Sequence, residues 1–385
     1  VLSSRIHSPS PMKSPVAAER PHDPNREIVS LDDYRRRHAQ YKSDPQLQAA
    51  HARAPWIVVW DDHETANDSF MSGAQNHQPD KEGDWNERKA RAIKAYYEWM
   101  PIREPDGGGA AINRAFQFGD LMSLFMLETR LTARDQQLSY DRDLPAPGGP
   151  AEVAAFRAKL NDPARKMMGP AQEAWLAAGL KDSVRAGRVW QVLGNEVVMA
   201  RLPVPSLRKH LGEAKLAEVM AGEGEGSRKR LARMEQLAQL DLPYGLDMWD
   251  GYPAERERLY DAIKTAGARA IVLAGDSHAF WANELYDDAG NRVAAEFGAT
   301  AITSPGANDT IKGFSVGEMF AAADKEVVFS EQSAKGFLLL TLTHEDAKAE
   351  LMTVSTIASK TFETKVLKTF RVTPEARRVS GLSEV

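Results

Sequence analysis

Two short polar runs in this sequence carry the side-chain types that bind metal ions. One run reads Asp-Asp-His-Glu at residues 61–64, and the other reads Gly-Asp-Ser-His at residues 275–278. Acidic and imidazole groups in a row are costly to remove from water, and a bound cation offsets that cost. Asp276 and His278 are two residues apart, so both point to one side of an extended chain. We therefore predict that the two runs together form a metal site.

Each run taken alone has a plainer interpretation. A Gly-Asp-x-His run is often a turn with a capping Asp, and an Asp-Asp-His-Glu run is often the first turn of a helix, where negative charge is favoured. The joint occurrence of both runs, each directly after an apolar segment, favours the metal site.

The segments before the two runs are predicted to be buried strands. Residues 55–60 and 270–274 are short apolar runs rich in branched and aromatic residues. Ligands in α/β folds bind at the carboxyl ends of such strands. Residues 188–193 read as another strand, and residues 116–127 as a strand pair or a helix. Helices alternate with these strands, and a late antiparallel set follows at residues 336–343, 349–357 and 365–372. The pattern predicts an α/β sandwich with substantial sheet.

One large domain is predicted over residues 29–375. Residues 1–28 are rich in Ser, Pro and His and indicate a loop or disordered arm. Residues 204–240 are charged, with a Gly-rich centre, and indicate a mobile surface insertion within the domain. Residues 376–385 are predicted to be a tail.

Composition excludes several classes of function. The chain has 385 residues, with 49 basic and 54 acidic side chains, so its surface is not that of a nucleic-acid-binding protein. It has no cysteine, which excludes disulfides and thiolate ligands within the chain. No run of about 18 apolar residues is present, so no transmembrane helix is expected.

A series of ordered motifs resembles the alkaline phosphatase D family of the calcineurin-like metallophosphoesterases. The motifs are Pro-Trp-Ile-Val-Val-Trp-Asp-Asp-His-Glu at 55–64, Leu-Glu-Thr-Arg at 127–130, Trp-Asp-Gly-Tyr-Pro at 249–253, Gly-Asp-Ser-His at 275–278 and Ile-Thr-Ser-Pro-Gly at 302–306. The resemblance extends from about residue 27 to residue 372. It implies two central mixed sheets flanked by helices, and a site with two or more metals that hydrolyses a small phosphomonoester or phosphodiester.

The resemblance also implies roles for individual residues. Asp62 takes a metal-ligand position, and His63 contacts the scissile phosphate, where it stabilises charge or protonates the leaving oxygen. Asp276 and His278 match the last metal-binding motif. Asp61 either binds metal or orients its neighbours.

Three further residues are candidates for contact with the substrate. Asn67 is a candidate phosphate contact by resemblance, and Asn195 follows a predicted strand near the site. Arg130 has two interpretations: a clamp on the phosphate, or a structural ion pair beside a strand end.

The family implies iron together with calcium as the metals, while the ligand types also suit zinc, manganese or magnesium. It further implies a periplasmic or extracellular location.

One departure from the family affects the expected activity. The family has an earlier Gly-Asp-x-x-Tyr motif that supplies a bridging Asp, together with a further early ligand, and neither occurs before residue 30. A site without these ligands is expected to hydrolyse phosphate esters poorly or not at all. The alternatives are therefore a catalytically degenerate binding domain that retains the phosphatase scaffold, or a metal-dependent hydrolase of another ester or lactone.

Overall fold

The computed structural model describes residues 21–105, 108–222, 224–311 and 313–385. Most of the arm predicted for residues 1–28 therefore lies outside the described residues. The described part mixes helices with mixed and antiparallel sheets, as the α/β prediction requires. No helix among the described residues is long and apolar enough to cross a membrane.

Thirteen strands are found in the described residues, and seven of them form one sheet. In chain order they are β1 (Ser69–Phe70), β2 (Gly73–Ala74), β3 (Arg114–Phe118), β4 (Met122–Met126), β5 (Trp190–Gly194), β6 (Ala270–Ala274), β7 (Phe280–Tyr286), β8 (Arg292–Gly298), β9 (Val327–Glu331), β10 (Gly336–Leu342), β11 (Ala347–Val354), β12 (Thr364–Val372) and β13 (Ser383–Glu384). The large sheet has the order β3-β4-β5-β6-β8-β7-β9. Its neighbours β4, β5, β6 and β8 run parallel.

The helices of the described residues alternate with these strands. They are α1 (Leu31–Lys42), α2 (Pro45–Arg53), α3 (Pro79–Glu82), α4 (Trp85–Trp99), α5 (Tyr140–Asp143), α6 (Pro150–Leu160), α7 (Gly169–Arg185), α8 (Leu207–Gly222), α9 (Glu225–Gln239), α10 (Pro253–Ala266), α11 (Ala307–Thr310) and α12 (Val316–Ala323), with a 3₁₀ turn at Trp249–Gly251. Helix α1 begins at a capping box in which Ser30 and Asp33 bond to each other's backbone N–H.

One face of the large sheet packs against helices. Val272 of β6 lies in the same core cluster as Leu176 of α7, Tyr260 of α10 and Phe320 of α12. Successive strand residues point to opposite faces, so the neighbouring Ile271 packs on the other side. Both faces of β6 are therefore buried, which explains its nearly continuous apolar sequence.

The other face of the large sheet packs against a second sheet, β10-β11-β12-β13. Trp190, Phe280 and Phe297 of the large sheet share a core with Leu351 and Phe370 of the small one. The small sheet is antiparallel throughout. The prediction that both sheets are mixed was therefore wrong for this one, because each strand pairs with the next strand in the chain, and every such pair is antiparallel.

The strand predicted over residues 55–60 is also wrong. In the described part of the chain this segment belongs to no sheet, although Trp60 is fully buried. The carbonyl oxygen of Val58 accepts a hydrogen bond from the side chain of Arg114. An apolar run becomes a strand only where a neighbouring strand accepts its backbone hydrogen bonds, and this requirement is not visible in local sequence.

Other predicted elements are confirmed. Residues 116–127 contain the strand pair β3 and β4, which turns at Gly119, a glycine with φ of 54°. The late strands lie at β10, β11 and β12. The surface insertion predicted at residues 204–240 and the tail predicted at residues 376–385 stay predictions. Residues 204–240 contain helices α8 and α9, and residues 383–384 form β13, which pairs with β12.

A buried carboxyl group joins two of the helices that cover the large sheet. Glu255 of α10 accepts hydrogen bonds from the backbone N–H of Met167, Met168 and Gly169 at the start of α7. Burial raises the pKa of Glu255 to about 7, and the nearby Glu173 carboxyl adds to the rise. The contact ties α10 to the start of α7, where the backbone N–H groups favour the ionised carboxylate, but burial opposes ionisation more strongly.

This carboxyl group predicts a pH dependence of stability. Since the folded state holds the proton of Glu255 more tightly than the unfolded state, the free energy of unfolding should fall as the pH rises from about 4.5 to about 7. In Glu255→Gln, the decrease in the free energy of unfolding that Glu255 causes should be absent. Urea unfolding at pH 4.5, 6 and 8 measures it. Glu363→Gln, an exposed control, should keep the wild-type slope, and an unchanged slope in Glu255→Gln would refute the assignment.

Candidate metal centre

Three carboxylates from distant parts of the sequence meet at the carboxyl edge of the large sheet. Asp61, Asp62 and Asp276 each offer one oxygen, and these oxygens lie within 4.8 Å of one another. Asp276 follows β6 directly, while Asp61 and Asp62 follow the apolar segment that ends at Trp60. The predicted convergence of the two polar runs is therefore present in the fold.

The edge receives these side chains because neighbouring parallel strands end there. Strand β4 leads into Arg130, β5 leads into Asn195 and Glu196, and β6 leads into Asp276. The carboxyl ends of parallel strands lie at the same edge, where their loops form a crevice. The backbone N–H of Gly275 donates to the carbonyl oxygen of Glu196 at 2.8 Å, which joins the loops after β5 and β6.

A tight turn shapes the first polar run. The carbonyl oxygen of Asp62 accepts hydrogen bonds from the N–H groups of Thr65 and Ala66, both at 2.8 Å. Its carboxylate Oδ2 accepts from the N–H of Asp68 at 2.8 Å. The hydroxyl of Tyr34 in α1 donates to the carbonyl oxygen of Thr65 at 2.7 Å. The turn is thus fixed both internally and by a helix from earlier in the chain.

The buried carboxylate of Glu128 joins the first run to the loop after β4. It accepts hydrogen bonds from Trp60 Nε1 at 3.0 Å and from the backbone N–H of Arg130 at 2.9 Å, Leu131 at 2.6 Å and Thr132 at 2.9 Å. All four donors bond to this one fully buried side chain. The Glu128 carboxylate therefore joins Trp60 to the backbone of Arg130 and holds Arg130 close to Asp61.

The second run adopts a backbone shape that side chains rarely take. Asp276 and His278 both have φ of 58°, a conformation uncommon for residues other than glycine. Trp281 Nε1 donates to Ser277 Oγ at 2.8 Å, and His278 Nδ1 lies 3.0 Å from the carbonyl oxygen of Pro305. Strained residues of this kind persist only where their surroundings fix them, and they cluster at functional sites.

The guanidinium of Arg130 lies at the centre of the acidic residues. It is fully buried, and its Nε donates to Asp61 Oδ1 at 2.7 Å. Its Nη1 donates to both carboxylate oxygens of Asp247, at 2.9 and 2.8 Å. Its Nη2 lies 3.7 Å from Asp276 Oδ2. A second buried guanidinium, that of Arg134, donates to Asp247 Oδ1 at 2.6 Å.

The electrostatics show an excess of negative charge. Burial raises the pKa of Asp276 well above its usual range, and the neighbouring Asp61 raises it further. Burial also raises the pKa of Asp61, against the effect of Arg130. The pKa of Asp68 rises to about 6 through burial and the nearby Asp247. Burial also acts to raise the pKa of Asp247, but Arg130 and Arg134 lower that pKa overall.

The residues present fit a bound cation. Asp62 is buried, and among the described residues its Oδ1 has no hydrogen-bond partner. A buried carboxylate oxygen without a donor is costly unless a cation pairs with it. The ligand atoms of the group are carboxylate oxygens, which suit hard cations such as calcium, magnesium and manganese.

The other predicted site residues have contacts of their own. His63 is buried, with Nε2 3.8 Å from Asp62 Oδ2. His278 lies on the Asp276 loop and is not one of the three residues whose ligand atoms are mutually close. Asn67 Nδ2 donates to Gln75 Oε1 at 3.2 Å. Asn195 accepts a hydrogen bond from Trp249 Nε1 at 3.0 Å through its Oδ1.

Sequence reasoning missed two acidic residues of the centre, Asp68 and Asp247. Asp247 pairs with Arg130 and Arg134, and the N–H of Asp68 binds Asp62. Neither residue follows an apolar strand, so the pattern that identified the other acids does not include them. The one available signal was position: Asp247 lies just before the motif at residues 249–253.

The sequence matches the PhoD-like phosphatase family over residues 8–351. That match spans most of the chain, and the chain belongs to this family.

Two relatives give the extent of the likeness. The chain is 35% identical over 292 residues to alkaline phosphatase D of Bacillus subtilis (strain 168), an alignment that covers 73% of this chain and 41% of that protein. A solved structure titled "Structure of PhoD" superposes with a TM-score of 0.69 at 30% identity, covering 94% of this chain and 60% of that one. The chain therefore spans less than two thirds of the length of either relative.

The geometry predicts that Asp62 contributes to cation binding. Asp62→Asn removes a charged ligand and should weaken Mn²⁺ binding about tenfold or more, because even partners of metal ligands contribute 10- to 100-fold to affinity. Titration calorimetry on the EDTA-treated chain measures the dissociation constant. The exposed Asp182→Asn is the control and should bind as the wild type does; equal affinity for all three proteins would exclude Asp62 as a ligand.

Proposed function

We propose that this chain is a metal-dependent hydrolase of small phosphate esters. The observation that carries the proposal is the convergence of Asp61, Asp62 and Asp276 within 4.8 Å at the carboxyl edge of the parallel strands of the large sheet. Family membership supplies the reaction class, since the match covers residues 8–351. The chemistry of the ligands supports it independently, because a phosphate group would add negative charge to an already acidic site, and bound cations would offset that charge.

We also propose that the two packed sheets are the sandwich of a calcineurin-like metallophosphoesterase. The shared core between the large sheet and the antiparallel sheet β10-β11-β12-β13 supports this proposal. So does the position of the acidic group on the loops that follow the strands.

Asp61, Asp62, Asp276 and His278 are the residues that would hold the metals, with iron and calcium as the proposed ions by family likeness. A bound cation supplies charge neutralisation on phosphate oxygens and an ionised water near neutral pH. The chain's own contribution is to hold these ligands in place: the turn at residues 62–68 fixes Asp62, and the strained loop after β6 fixes Asp276.

His63 is proposed to protonate the leaving oxygen or to stabilise charge on the phosphate. It is buried beside Asp62, at 3.8 Å between Nε2 and Oδ2, which places its ring next to a proposed metal ligand. Asn67 and Asn195 are proposed as polar neighbours of the substrate. Asn195 is oriented by Trp249, which supports a fixed position for its amide at the site edge.

The proposal is tested by hydrolysis of p-nitrophenyl phosphate and bis-p-nitrophenyl phosphate. The purified chain should release p-nitrophenol faster than buffer when Fe³⁺ with Ca²⁺, or Mn²⁺, is added, and EDTA should abolish the release. Binding of phosphate and metal without turnover would instead favour a degenerate binding domain. Turnover of carboxylic esters or lactones alone would refute the phosphate-ester assignment.

A His63 variant tests the catalytic assignment separately from metal binding. His63→Ala should lower kcat by about 10²- to 10⁴-fold, the usual contribution of a general acid, while the Mn²⁺ dissociation constant stays within about threefold of wild type. Steady-state kinetics and calorimetry measure both quantities. The exposed His210→Ala provides a matched control with unchanged kcat. An unaltered kcat in His63→Ala would remove this residue from the reaction.

We propose a periplasmic or extracellular location, which rests on likeness to the family. Fractionation of the source cells with an antibody to the chain tests it, and recovery of the protein only in the cytoplasmic fraction would refute it.

A further inference from the structure

We propose that Arg130 is a positioning residue whose guanidinium supplies the positive charge that holds Asp61 and Asp276 together before a cation binds. The proposal rests on the metal site proposed above, and it assigns Arg130 to the carboxylates rather than to the substrate phosphate. The acidic group would then be preformed, so that cation binding does not have to assemble it.

The contacts of Arg130 reach three separate loops. Its Nε binds Asp61 at 2.7 Å, its Nη1 binds Asp247 at 2.8 and 2.9 Å, and its Nη2 faces Asp276 at 3.7 Å. Asp61 lies 69 positions and Asp247 lies 117 positions from Arg130 in sequence. One planar group therefore connects three loops that are distant from one another in the sequence.

The geometry favours arginine over lysine for this task. A guanidinium directs donors along several fixed directions in one plane, and it stays charged when buried. The nitrogens of Arg130 face three different carboxylates, whereas a lysine ammonium is a compact charge on a flexible chain. Asp247 accepts hydrogen bonds from both Arg130 and Arg134, and it therefore fixes the plane of the Arg130 guanidinium. The other edges of that guanidinium face Asp61 and Asp276.

A phosphate clamp would need a different arrangement. Such a clamp presents two parallel N–H donors to the ligand. In Arg130 the Nε and Nη1 donors already bond to carboxylates, and the side chain is fully buried. Of the three guanidinium nitrogens of Arg130, Nη2 alone has no hydrogen-bond partner within the described part of the chain, and that nitrogen faces Asp276. The group is therefore arranged to bind the acids of the site.

Arg134 offers a matched control. It is also a fully buried arginine, and it shares the Asp247 carboxylate at 2.6 Å. Its other hydrogen bonds go to backbone carbonyl oxygens, those of Thr129 and Asp247. Because Asp247 still pairs with Arg130 when Arg134 is lost, loss of Arg134 should destabilise the fold but change the response of the acidic group to a cation less than loss of Arg130 does.

The experiment compares the thermal unfolding midpoint, Tm, in EDTA and in saturating Mn²⁺ for the 385-residue chain and its variants. In Arg130→Met the acids lose their internal counter-charge, so Tm should fall much further in EDTA than in Mn²⁺. The metal-induced rise in Tm should exceed the wild-type rise by about 5 °C or more. In Arg134→Met, Tm should fall in both conditions, and the metal-induced rise in Tm should stay closer to the wild-type rise than it does in Arg130→Met.

Two further variants separate charge from packing. Arg130→Lys keeps the charge and should show the same effect at smaller amplitude. In the double variant Arg130→Met with Asp61→Asn, one uncompensated carboxylate is gone, so Tm in EDTA should rise above that of Arg130→Met alone. If Arg130→Met does not fold, Arg130→Lys against Arg134→Lys makes the same comparison.

An equal fall of Tm in EDTA and Mn²⁺ for the Arg130 variants, without rescue by Asp61→Asn, would overturn the proposal. A wild-type chain that binds no metal and hydrolyses no ester refutes the proposed function instead. In that case the rescue by Asp61→Asn in EDTA still decides the role of Arg130.

Discussion

The concentration of negative charge at the edge of the large sheet constrains the rest of the structure. Asp61, Asp62 and Asp276 would repel one another at their separation of less than 4.8 Å if nothing positive lay between them. Among the described residues, the buried guanidinium of Arg130 bonds to Asp61 and faces Asp276, and the proposed cation would add further positive charge. Burial strengthens both the repulsion between the carboxylates and their attraction to positive charge, because the surroundings screen charges less than water does.

The sheet makes this concentration of charge tolerable. Strand β6 is buried on both faces, by helices on one side and by the antiparallel sheet on the other. The apolar area buried along such strands stabilises the fold by about 25 cal/mol per Å², and this stabilisation offsets the cost of the polar residues at their ends. A rigid base also permits the positive φ angles of Asp276 and His278, which an isolated loop would relax.

Much of the fold could be predicted from local patterns. The strands at residues 190–194 and 270–274, and the late antiparallel strands, follow from apolar runs and alternation. The segment at residues 55–60 has the same composition but forms no strand in the described part of the chain. Strand formation depends on a partner, which local sequence does not encode. The same limit explains why Asp68 and Asp247 escaped prediction, since their partners are distant in sequence.

The sequence alone determined the family, the two polar runs and the residues that could bind metal, because each of these depends on residue types at short spacing. Only the tertiary structure decided which of these residues meet. It brought Asp61, Asp62 and Asp276 together, left His278 outside that group, and directed Arg130 towards carboxylates. The physical reason is that hydrogen bonds and ion pairs between loops depend on strand order and packing, and these are properties of the whole chain.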